Sequence, residues 1–330
     1  MILNASEAAI AQAAQVLREG RLVGMPTETV YGLAANANDD KAVATIFVAK
    51  GRPADHPLIV HVASARQVKL FAAQVPDFAQ HLIDAFWPGP LTLILPRQPG
   101  VATASAGGQD SIGLRCPAHP VAQALLQACL PLGVLGVSAP SANRFGRVSP
   151  TTAAHVQSEL DPDLLILDGG DCTVGIESTI IDCTRGEPVL LRPGHITRAQ
   201  IEMACGRVVL DKDAPQALLG QAAPRASGTL ESHYAPRAKV RLMSSAEIAH
   251  KLQALGPHAN NLGLWSAERP GGGAGVLWRQ QAATAEQAAH DLFSVLRDLD
   301  ARGVTQIWVQ LPPDTPDWEG VRDRLQRAAA

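Results

Sequence analysis

The chain has 330 residues, of which 46% are hydrophobic and 18% charged, and its formal net charge is −3. This composition excludes a disordered chain, because disordered chains combine low hydrophobicity with high net charge. No uninterrupted apolar run reaches the roughly 20 residues that cross a bilayer, and the N-terminus lacks the basic and apolar regions of a signal peptide. We therefore expect a soluble, cytoplasmic protein with no membrane partner, and the length favours two domains.

Cysteine usage and charge narrow the class of protein further. The five cysteines are odd in number and include no Cys-x-x-Cys pair, which argues against a disulfide framework or a zinc ribbon and suits a reducing cytosol. The chain also lacks the positive excess that neutralises the phosphates of long nucleic acids. A small anion can still bind in a locally basic cleft, so an enzyme remains compatible with the composition.

The first two hundred residues alternate between helix and strand patterns. Two early helices have N-cap candidates, Asn4 or Ser6 and Asp39 or Asp40, and each helix is followed by a glycine. Helical patterns continue around 66–86. A mixed, twisted α/β sheet is therefore predicted. Its strands are expected at 22–25, 58–62, 91–95, 111–115, 134–138, 164–168, 178–182 and 188–192.

The composition changes near residue 210, where a second pattern follows a stretch without periodicity. Residues 211–237 are predicted to be a linker that could act as a lid, between a catalytic domain at 1–210 and a C-terminal α/β domain at 238–330. The C-terminal domain has helix patterns at 246–255, at 284–301 and at the end of the chain. Its predicted strands lie at 239–243, 261–265, 276–278 and 306–310.

Polar clusters lie at the ends of predicted strands, where open α/β sheets bind ligands. Residues 26–33 read Pro-Thr-Glu-Thr-Val-Tyr-Gly-Leu, and their hydroxyls, carboxylate and phenol could hold an amino acid or form a capped turn. Residues 50–53 read Lys-Gly-Arg-Pro and precede His56, so two cations could grip a polyphosphate. The lysine could instead complement the helix dipole, and His61 could be a hydrogen-bonded core residue.

Further clusters follow the later strands. Residues 111–115 end in an arginine that suits a substrate carboxylate or a surface ion pair. Residues 138–143 read Ser-Ala-Pro-Ser-Ala-Asn, which allows close approach to a nucleotide or forms a tight turn. Two more strand ends carry Glu-Ser-Thr-Ile at 177–180 and Leu-Arg-Pro-Gly at 191–194. His-Tyr-Ala-Pro at 233–236 offers a tyrosine that could stack on a base or reach a phosphate.

The order of these clusters carries more information than any one of them. No Walker A loop, His-Glu-x-x-His or Gly-x-Ser-x-Gly motif is present. In series, the clusters resemble the YrdC/Sua5 family of threonylcarbamoyl-AMP synthases over about residues 6–205. His-Tyr-Ala-Pro and the α/β tail extend the resemblance to the two-domain Sua5 type. The implied fold is a YrdC-like twisted mixed open sheet flanked by helices, plus a smaller Rossmann-like α/β C-terminal domain.

The resemblance also implies an activity. The family joins L-threonine, bicarbonate or CO₂, and ATP into threonylcarbamoyl-AMP and pyrophosphate, and other proteins transfer the threonylcarbamoyl group to adenosine 37 of tRNAs. By similarity, the catalytic residues would be Lys50 and Arg52. The residues that would contact threonine are Thr29, His61, Arg115, Ala139 and Ser178. Those that would contact ATP are Lys50, Arg52, His56, Ser111, Ser141, Asn143, Ser149, Arg192 and Tyr234.

This assignment agrees with the chemistry of the implied reaction. The threonine amine adds to CO₂, and the new carboxylate attacks the α-phosphorus of ATP, so two anions must be brought together. Lys50, Arg52 and Arg192 can neutralise the charge, with Mg²⁺ held mainly by the ATP phosphates and not by protein side chains. Glu28 or His61 are the hypothetical bases that would deprotonate the amine.

One stretch and one single residue depart from the family pattern, and other functions are also compatible with the sequence. Residues 227–232 read Ser-Gly-Thr-Leu-Glu-Ser where many members carry a Pro-Gly-Met stretch with basic residues, and His56 stands where asparagine is common. The main alternative is a noncatalytic RNA-binding protein of YrdC-like or YciO-like type, which the acidic balance disfavours. A carbamoyl-phosphate-using enzyme is a further alternative, but its Cys-x-x-Cys zinc motifs and acylphosphatase domain are absent.

Overall fold

The computed structural model describes residues 1–214, 223–228, 233–255, 261–269, 271 and 275–330. They belong to two compact units. The first comprises Met1–Phe145 and Pro150–Thr229, and the second comprises Gly146–Ser149 and Leu230–Ala330. The predicted linker is divided between the units, and its residues 215–222 and 229–232 lie outside the described residues. The predicted domain boundaries at 210 and 237 stay predictions.

The first unit contains an 11-stranded sheet of short strands. The strands are β1 (Ile2–Asn4), β2 (Val23–Met25), β3 (Gly32–Asn36), β4 (Ile59–His61), β5 (Leu91–Pro96), β6 (Ser111–Arg115), β7 (Val137–Ser138), β8 (Leu165–Asp168), β9 (Thr179–Asp182), β10 (Val189–Arg192) and β11 (Leu210–Asp211). Their order is β1-β8-β2-β3-β7-β4-β6-β5-β9-β10-β11. Parallel pairs such as β4 with β6 stand beside antiparallel pairs such as β5 with β6. The predicted mixed sheet is confirmed.

Seven helices are described in this unit, and three core clusters attach them to the sheet. One cluster joins α1 and α5 to β2 and β8, and a second joins α2 and α6 to β3 and β8. The third joins α3, α4 and α7 to β4, β5 and β6. The helices are α1 (Glu7–Arg18), α2 (Asp40–Lys50), α3 (Val68–Phe71), α4 (Asp77–Phe86), α5 (Pro120–Cys129), α6 (Ala153–Gln157) and α7 (Arg198–Cys205).

The early helix boundaries follow from local chemistry. Of the candidate N-caps, Ser6 caps α1 by accepting a hydrogen bond from the Ala9 amide, and Asp39 caps α2 by accepting from Lys41 and Ala42. Gly51 ends α2 in the left-handed region with φ 62°, a conformation that costs glycine little. The cap therefore fixes where Lys50 and Arg52 leave the helix.

Several elements differ from the sequence-based expectation. Strands β1, β3 and β11 and helices α5, α6 and α7 were not predicted, and the strand expected at 134–138 is reduced to two residues. The sequence of β3, Gly-Leu-Ala-Ala-Asn, contains no β-branched residue, and α5 begins at a proline after the uncommon N-cap His119. These elements form because the core and sheet neighbours hold them, which overrides weak local preference.

The second unit contains a smaller, parallel four-stranded sheet. Its order is β12-β15-β13-β14, and every pair is parallel. Met243, Ile248 and Leu264 share a buried cluster that places α8 against this sheet. This architecture confirms the predicted Rossmann-like domain. The elements are β12 (Lys239–Met243), α8 (Ser245–Leu255), β13 (Leu262–Ser266), β14 (Leu277–Gln280), α9 (Ala285–Ala301), β15 (Gln306–Gln310) and α10 (Glu319–Ala329).

Within the described ranges, none of the helices combines the length and the apolar character that a bilayer span requires. All five cysteines lie in those ranges, and each is a buried free thiol.

Candidate active site

Arg115, the last residue of β6, is held in a buried polar recess. Its Nη1 donates to Thr29 Oγ1 at 2.8 Å, and its Nε donates to the Gly89 carbonyl at 3.2 Å. Its Nη2 lies 2.7 Å from Glu28 Oε1, and both side chains are less than one-tenth exposed. Removing such a pair from water is costly, and the attraction between the two charges at this distance offsets part of the cost. The recess thus fixes a guanidinium beside a hydroxyl.

His61, at the end of β4, is paired in register with Arg115 on the neighbouring strand. The imidazole is buried, and burial together with the nearby Arg115 charge lowers its pKa to about 3. In the described part of the chain, its Nδ1 has no hydrogen-bond partner. Of the two predicted roles, the buried position agrees with a core histidine, and the predicted contact with threonine stays a prediction. The ring is neutral near pH 7 and retains a nitrogen that can meet a ligand.

Ser178 and Arg192 are joined at the ends of β9 and β10. Arg192 donates from Nε and Nη2 to the Ser178 carbonyl, at 3.0 and 2.8 Å, and from Nη2 to Ser178 Oγ at 3.1 Å. Ser178 Oγ also lies 2.7 Å from Thr92 Oγ1 on β5. Three strands of the sheet thus contribute to one polar cluster.

Arg52 and Arg192 converge on a single residue of the predicted lid segment. Arg52 Nη2 donates to Ser227 Oγ at 3.3 Å, while Arg192 Nη1 donates to the Ser227 carbonyl at 2.9 Å. Ser227 Oγ in turn donates to the Pro57 carbonyl at 2.6 Å. Residues more than a hundred positions apart therefore bring two guanidinium groups to one place in the first unit.

The aromatic ring of Phe145 connects Arg52 with His56. The Arg52 guanidinium lies 5.9 Å from the centre of this ring, and the His56 ring meets it edge-on at 5.5 Å. A cation over an aromatic face is stabilised by the ring quadrupole. Burial and the nearby Arg52 charge lower the pKa of His56.

Lys50 organises the loop that follows β7. Its Nζ donates to the carbonyl oxygens of Ser141 and Asn143, and the Asn143 side chain donates to the Arg144 carbonyl. Burial and the nearby Arg52 charge lower the Lys50 pKa to about 7. The amine is thus not a solvated charge at a helix end, since it is 3% exposed.

The remaining predicted residues of the first unit lie on neighbouring strands or their ends. Ser111 begins β6 and borders a cleft that is also lined by Ser227. Ala139 follows β7, where its amide donates to the Ile59 carbonyl, and Ser141 forms a bridge with Gly32. These positions agree with a ligand site at the strand ends, but each predicted contact with a ligand stays a prediction.

Ser149 and Tyr234 belong to the second unit. The Ser149 carbonyl accepts from Arg297 Nε at 3.2 Å. Tyr234 is 1% exposed, and its ring lies 5.3 Å from Phe293 and 5.6 Å from the Arg324 guanidinium carbon. In this unit the tyrosine is a core residue, and its predicted contact with ATP stays a prediction.

Two side chains of the 26–33 motif make polar contacts within the protein. The Tyr31 phenol donates to the Gly170 carbonyl at 2.8 Å, and burial raises its pKa, so the phenol is hydrogen-bonded within the protein. Glu28 is committed to the ion pair with Arg115. The Glu28 carboxylate therefore balances the charge of Arg115 in the recess, and it would have to leave this ion pair to act as a base.

Three residues that contact the candidate site residues were not predicted from the sequence. Thr92 is a hydroxyl inside an otherwise apolar strand, and Phe145 is an aromatic residue two positions after the 138–143 motif. Both signals are visible in the sequence. Ser227 belongs to a stretch that departs from the family pattern, and nothing in its neighbours indicates that it would contact two arginines.

The four predicted cations of the first unit belong to one end of the sheet. Arg52 and Arg192 share Ser227, and Lys50 is close enough to Arg52 for the two charges to interact. Arg115 donates to Gly89, and the adjacent Pro90 carbonyl accepts from the amide that follows Ser178. These cations come from β6, β10 and the end of α2, and their predicted role in one ligand pocket stays a prediction.

Comparisons with known proteins agree with this arrangement. The Sua5/YciO/YrdC family model, described as "Telomere recombination", matches residues 15–194, and the model described as "Threonylcarbamoyl-AMP synthase, C-terminal domain" matches residues 196–330. The threonylcarbamoyl-AMP synthase of Bacillus subtilis is 38% identical over 99% of this chain and 94% of its own length. That of Pyrococcus abyssi is 38% identical over 96% of this chain and 93% of its own length.

A solved structure of P. abyssi Sua5 complexed with L-threonine is 37% identical, with a TM-score of 0.88 over 100% of this chain and 97% of that chain. Both the sequence and the fold match along nearly the whole length. The chain therefore belongs to the Sua5/YciO/YrdC family and carries the Sua5 C-terminal domain.

Proposed function

We propose that this chain joins L-threonine, bicarbonate or CO₂, and ATP to give threonylcarbamoyl-AMP and pyrophosphate. Relatives named threonylcarbamoyl-AMP synthase match it over nearly their full length. The structural observation that carries the proposal is the meeting of Arg52 and Arg192 at Ser227, beside the Ser178 cluster. A pocket with this charge can hold a triphosphate next to a carboxylate.

Threonine would bind in the recess around Arg115. A guanidinium has five N–H groups, and the contacts with Gly89, Thr29 and Glu28 use three of them. The remaining two can bind the threonine carboxylate in a bidentate manner. Neutral His61 would accept a hydrogen bond at Nδ1 from the substrate. Ala139 and Ser178 complete the predicted contacts.

ATP would bind where the two arginines meet. Phosphate oxygens carry charge and are stronger acceptors than the Ser227 oxygens, so a triphosphate would compete for Arg52 and Arg192. Bound phosphate would also raise the pKa of Lys50 from about 7, because a nearby anion favours the charged amine. Ser141 and Asn143 lie on the loop that Lys50 holds.

The residues would act mainly by positioning and by charge. The threonine amine adds to CO₂ to form an N-carboxylate, whose oxygen forms a bond to the α-phosphorus while pyrophosphate leaves. Charge increases on the leaving group, and Arg52, Arg192 and Lys50 would stabilise it. Holding the two anions together supplies much of the rate gain, because the step becomes effectively unimolecular.

Mg²⁺ would enter with the phosphates of ATP. Across the described ranges, His, Cys, Asp and Glu side chains form no group of three or more that could hold a metal ion. Mg²⁺ that accompanies a nucleotide is commonly held by phosphate oxygens and water with few protein ligands. When bound, the ion would supply further neutralisation of phosphate charge.

The amine must lose a proton before it attacks, and neither hypothetical base is well placed as a free base. Glu28 would have to leave its ion pair with Arg115, and a histidine with a pKa of about 3 binds a proton weakly near pH 7. We therefore assign both residues to substrate positioning and propose that threonine enters as the small free-base fraction.

The proposal is tested by measuring whether the full chain forms its products only when threonine is present. The protein is incubated with ATP, Mg²⁺, L-threonine and labelled bicarbonate, and pyrophosphate and labelled adenylate are measured. Arg52→Ala should abolish both products while the circular dichroism spectrum is retained. Arg66→Ala, which changes an exposed arginine outside the pocket, should retain wild-type rates. Equal pyrophosphate release with and without threonine would overturn the proposal.

The product indicates the partners. An acyl-adenylate is an activated carbamoyl donor, so a second reaction must consume it by transfer to a nucleophile. We propose that downstream threonylcarbamoyl-transfer proteins use it to form N6-threonylcarbamoyladenosine at position 37 of tRNA. In this proposal, tRNA is an indirect target of the chain.

A further inference from the structure

Thr92 is a buried hydroxyl in the middle of the site that has no part in the reaction proposed above. It lies on β5, its side chain is fully buried, and it borders the same cleft as Ser111 and Ser227. In the described part of the chain, the hydroxyl has one hydrogen-bond partner, Ser178 Oγ at 2.7 Å. Ser178 is itself 1% exposed. The contact therefore joins two buried hydroxyl groups.

Either hydroxyl of the pair could be the donor, and the predicted threonine contact at Ser178 decides between the two directions. Arg192 has only donors, so its Nη2 must donate to Ser178 Oγ, which fills one of the two lone pairs of that oxygen. If Ser178 donated to Thr92, the Thr92 hydrogen would be buried without an acceptor, which is costly. If Thr92 donates to Ser178, the second lone pair of Ser178 is filled, and the hydrogen left without an acceptor is that of Ser178, which the substrate predicted to bind there can accept.

We infer that Thr92 donates to Ser178 Oγ and so makes the Ser178 hydroxyl a donor to a carboxylate oxygen of the substrate. With both lone pairs occupied, Ser178 has only its own hydrogen left to offer. A carboxylate accepts such a bond strongly. Thr92 is thus a positioning residue for the reaction, and the inference rests on the proposed function.

The carboxylate could belong to threonine itself or to the carboxyl group derived from bicarbonate, and kinetics separates the two. Thr92→Val keeps the shape of the side chain, including the methyl group near Gly113, and removes the donor. Its kcat/KM should fall about tenfold, the effect of losing one hydrogen bond. A rise in KM for threonine identifies the threonine carboxylate, while a rise in KM for bicarbonate or a fall in kcat identifies the new carboxyl group.

Further variants distinguish a positioning role of Thr92 from a structural one. Thr92→Ser should restore nearly wild-type kinetics, because it keeps the donor. The T92V/S178A double variant should be no slower than S178A, because Thr92 acts through Ser178. Thr45→Val, which removes a hydroxyl that donates to the Ala42 carbonyl on α2, should leave the kinetics unchanged. If T92V does not fold, Thr92→Cys keeps the volume with a weaker donor and carries the same expectation.

The outcomes separate this inference from the proposed function. Wild-type protein without threonine-dependent pyrophosphate release would overturn both. Active wild-type protein with T92V at wild-type rates, or with T92V and S178A effects that multiply in the double variant, would overturn the role of Thr92 and leave the proposed function standing.

Discussion

Glu28 and Arg115 form an ion pair that the fold has removed almost entirely from water. Such a pair gives little net stability, because desolvation offsets the attraction, but removal of one partner leaves a buried charge. The pair is therefore best understood as a device that orients Arg115 toward Thr29 and the substrate. The pair as a whole should therefore add little to the free energy of unfolding. Substitutions of its two residues should instead be strongly coupled.

This coupling can be measured. Arg115→Met should lower the free energy of unfolding by about 3–5 kcal/mol, because Glu28 would be left buried and unpaired. The E28Q/R115M double variant should recover a large part of this loss, since no uncompensated charge remains. Urea denaturation of the wild type, both single variants and the double variant gives the coupling free energy. Additive effects of the two substitutions would contradict the buried pair.

His61 should make the stability of the protein sensitive to acid. In the unfolded chain its imidazole binds a proton below about pH 6.5, whereas in the folded chain its pKa is about 3. Between these values the unfolded state binds more protons, so stability falls as the pH is lowered from about 6.5 toward 3. The contribution of this one group is on the order of 4 kcal/mol across the window.

Urea midpoints at about pH 4.5, 5.5 and 6.5 test this dependence. His61→Gln, which cannot titrate, should show a shallower loss of stability than the wild type over this range. His81→Gln, at an exposed position on α4, should follow the wild type. Parallel curves for the wild type and H61Q would mean that the folded-state pKa of His61 is close to that of an exposed histidine.

Helix α2 is the element that delivers two of the predicted catalytic residues. Its N-cap Asp39 and its left-handed Gly51 fix both ends, and its buried face holds Val43, Ile46 and Phe47 against the sheet. The helix end then places Lys50 under the 138–143 loop and sends Arg52 toward Ser227. A change at the C-terminal cap should therefore affect the site as well as stability.

Gly51→Ala tests this connection. A Cβ at position 51 would meet no atom within 4 Å, so its cost comes only from the positive φ, about 1 kcal/mol. We expect that loss in urea denaturation together with a higher KM for ATP. Gly100→Ala is the matched control, since it has φ 76° with no atom within 4 Å and lies in an exposed turn. It should lose similar stability with an unchanged KM, and equal KM effects in both variants would contradict the connection.

The elements that could be predicted from the sequence are those with strong local signals. Helices with Ser or Asp caps and a following glycine, and apolar strands such as β5 and β6, lie within a residue or two of expectation. The strand β3 could not be predicted, because its small residues become a strand only by pairing with β2 and β7.

The candidate site likewise contains residues that could be predicted from the sequence and residues that could not. Motif residues such as Arg115 could be named from the sequence because side-chain type at a strand end indicates anion binding. Their partners could not, since the contact of Arg192 with Ser227 and that of Ser178 with Thr92 join residues 35 and 86 positions apart. Such long-range contacts depend on strand order, which local patterns do not specify.

At the scale of the whole chain, charge distinguishes a small-anion enzyme from a protein that binds RNA along its backbone. The formal net charge is −3, and several cations of the site are buried or already paired within the first unit. Buried arginines such as Arg115 cannot reach the phosphates of a long duplex. A substrate that enters a recess can use them, which favours catalysis over the RNA-binding alternative.

This difference predicts the salt dependence of RNA binding. A protein that neutralises 6–10 phosphates loses about 10³–10⁵ in affinity between 50 and 200 mM salt, because counterions are released on binding. We expect this chain to bind a duplex RNA of about 20 base pairs no more tightly than non-specific binding, with a Kd above about 10⁻⁶ M at 200 mM KCl. Fluorescence anisotropy at both salt concentrations measures it. Tight binding with a steep salt dependence would require a basic surface that the charge balance argues against, and it would favour the RNA-binding function.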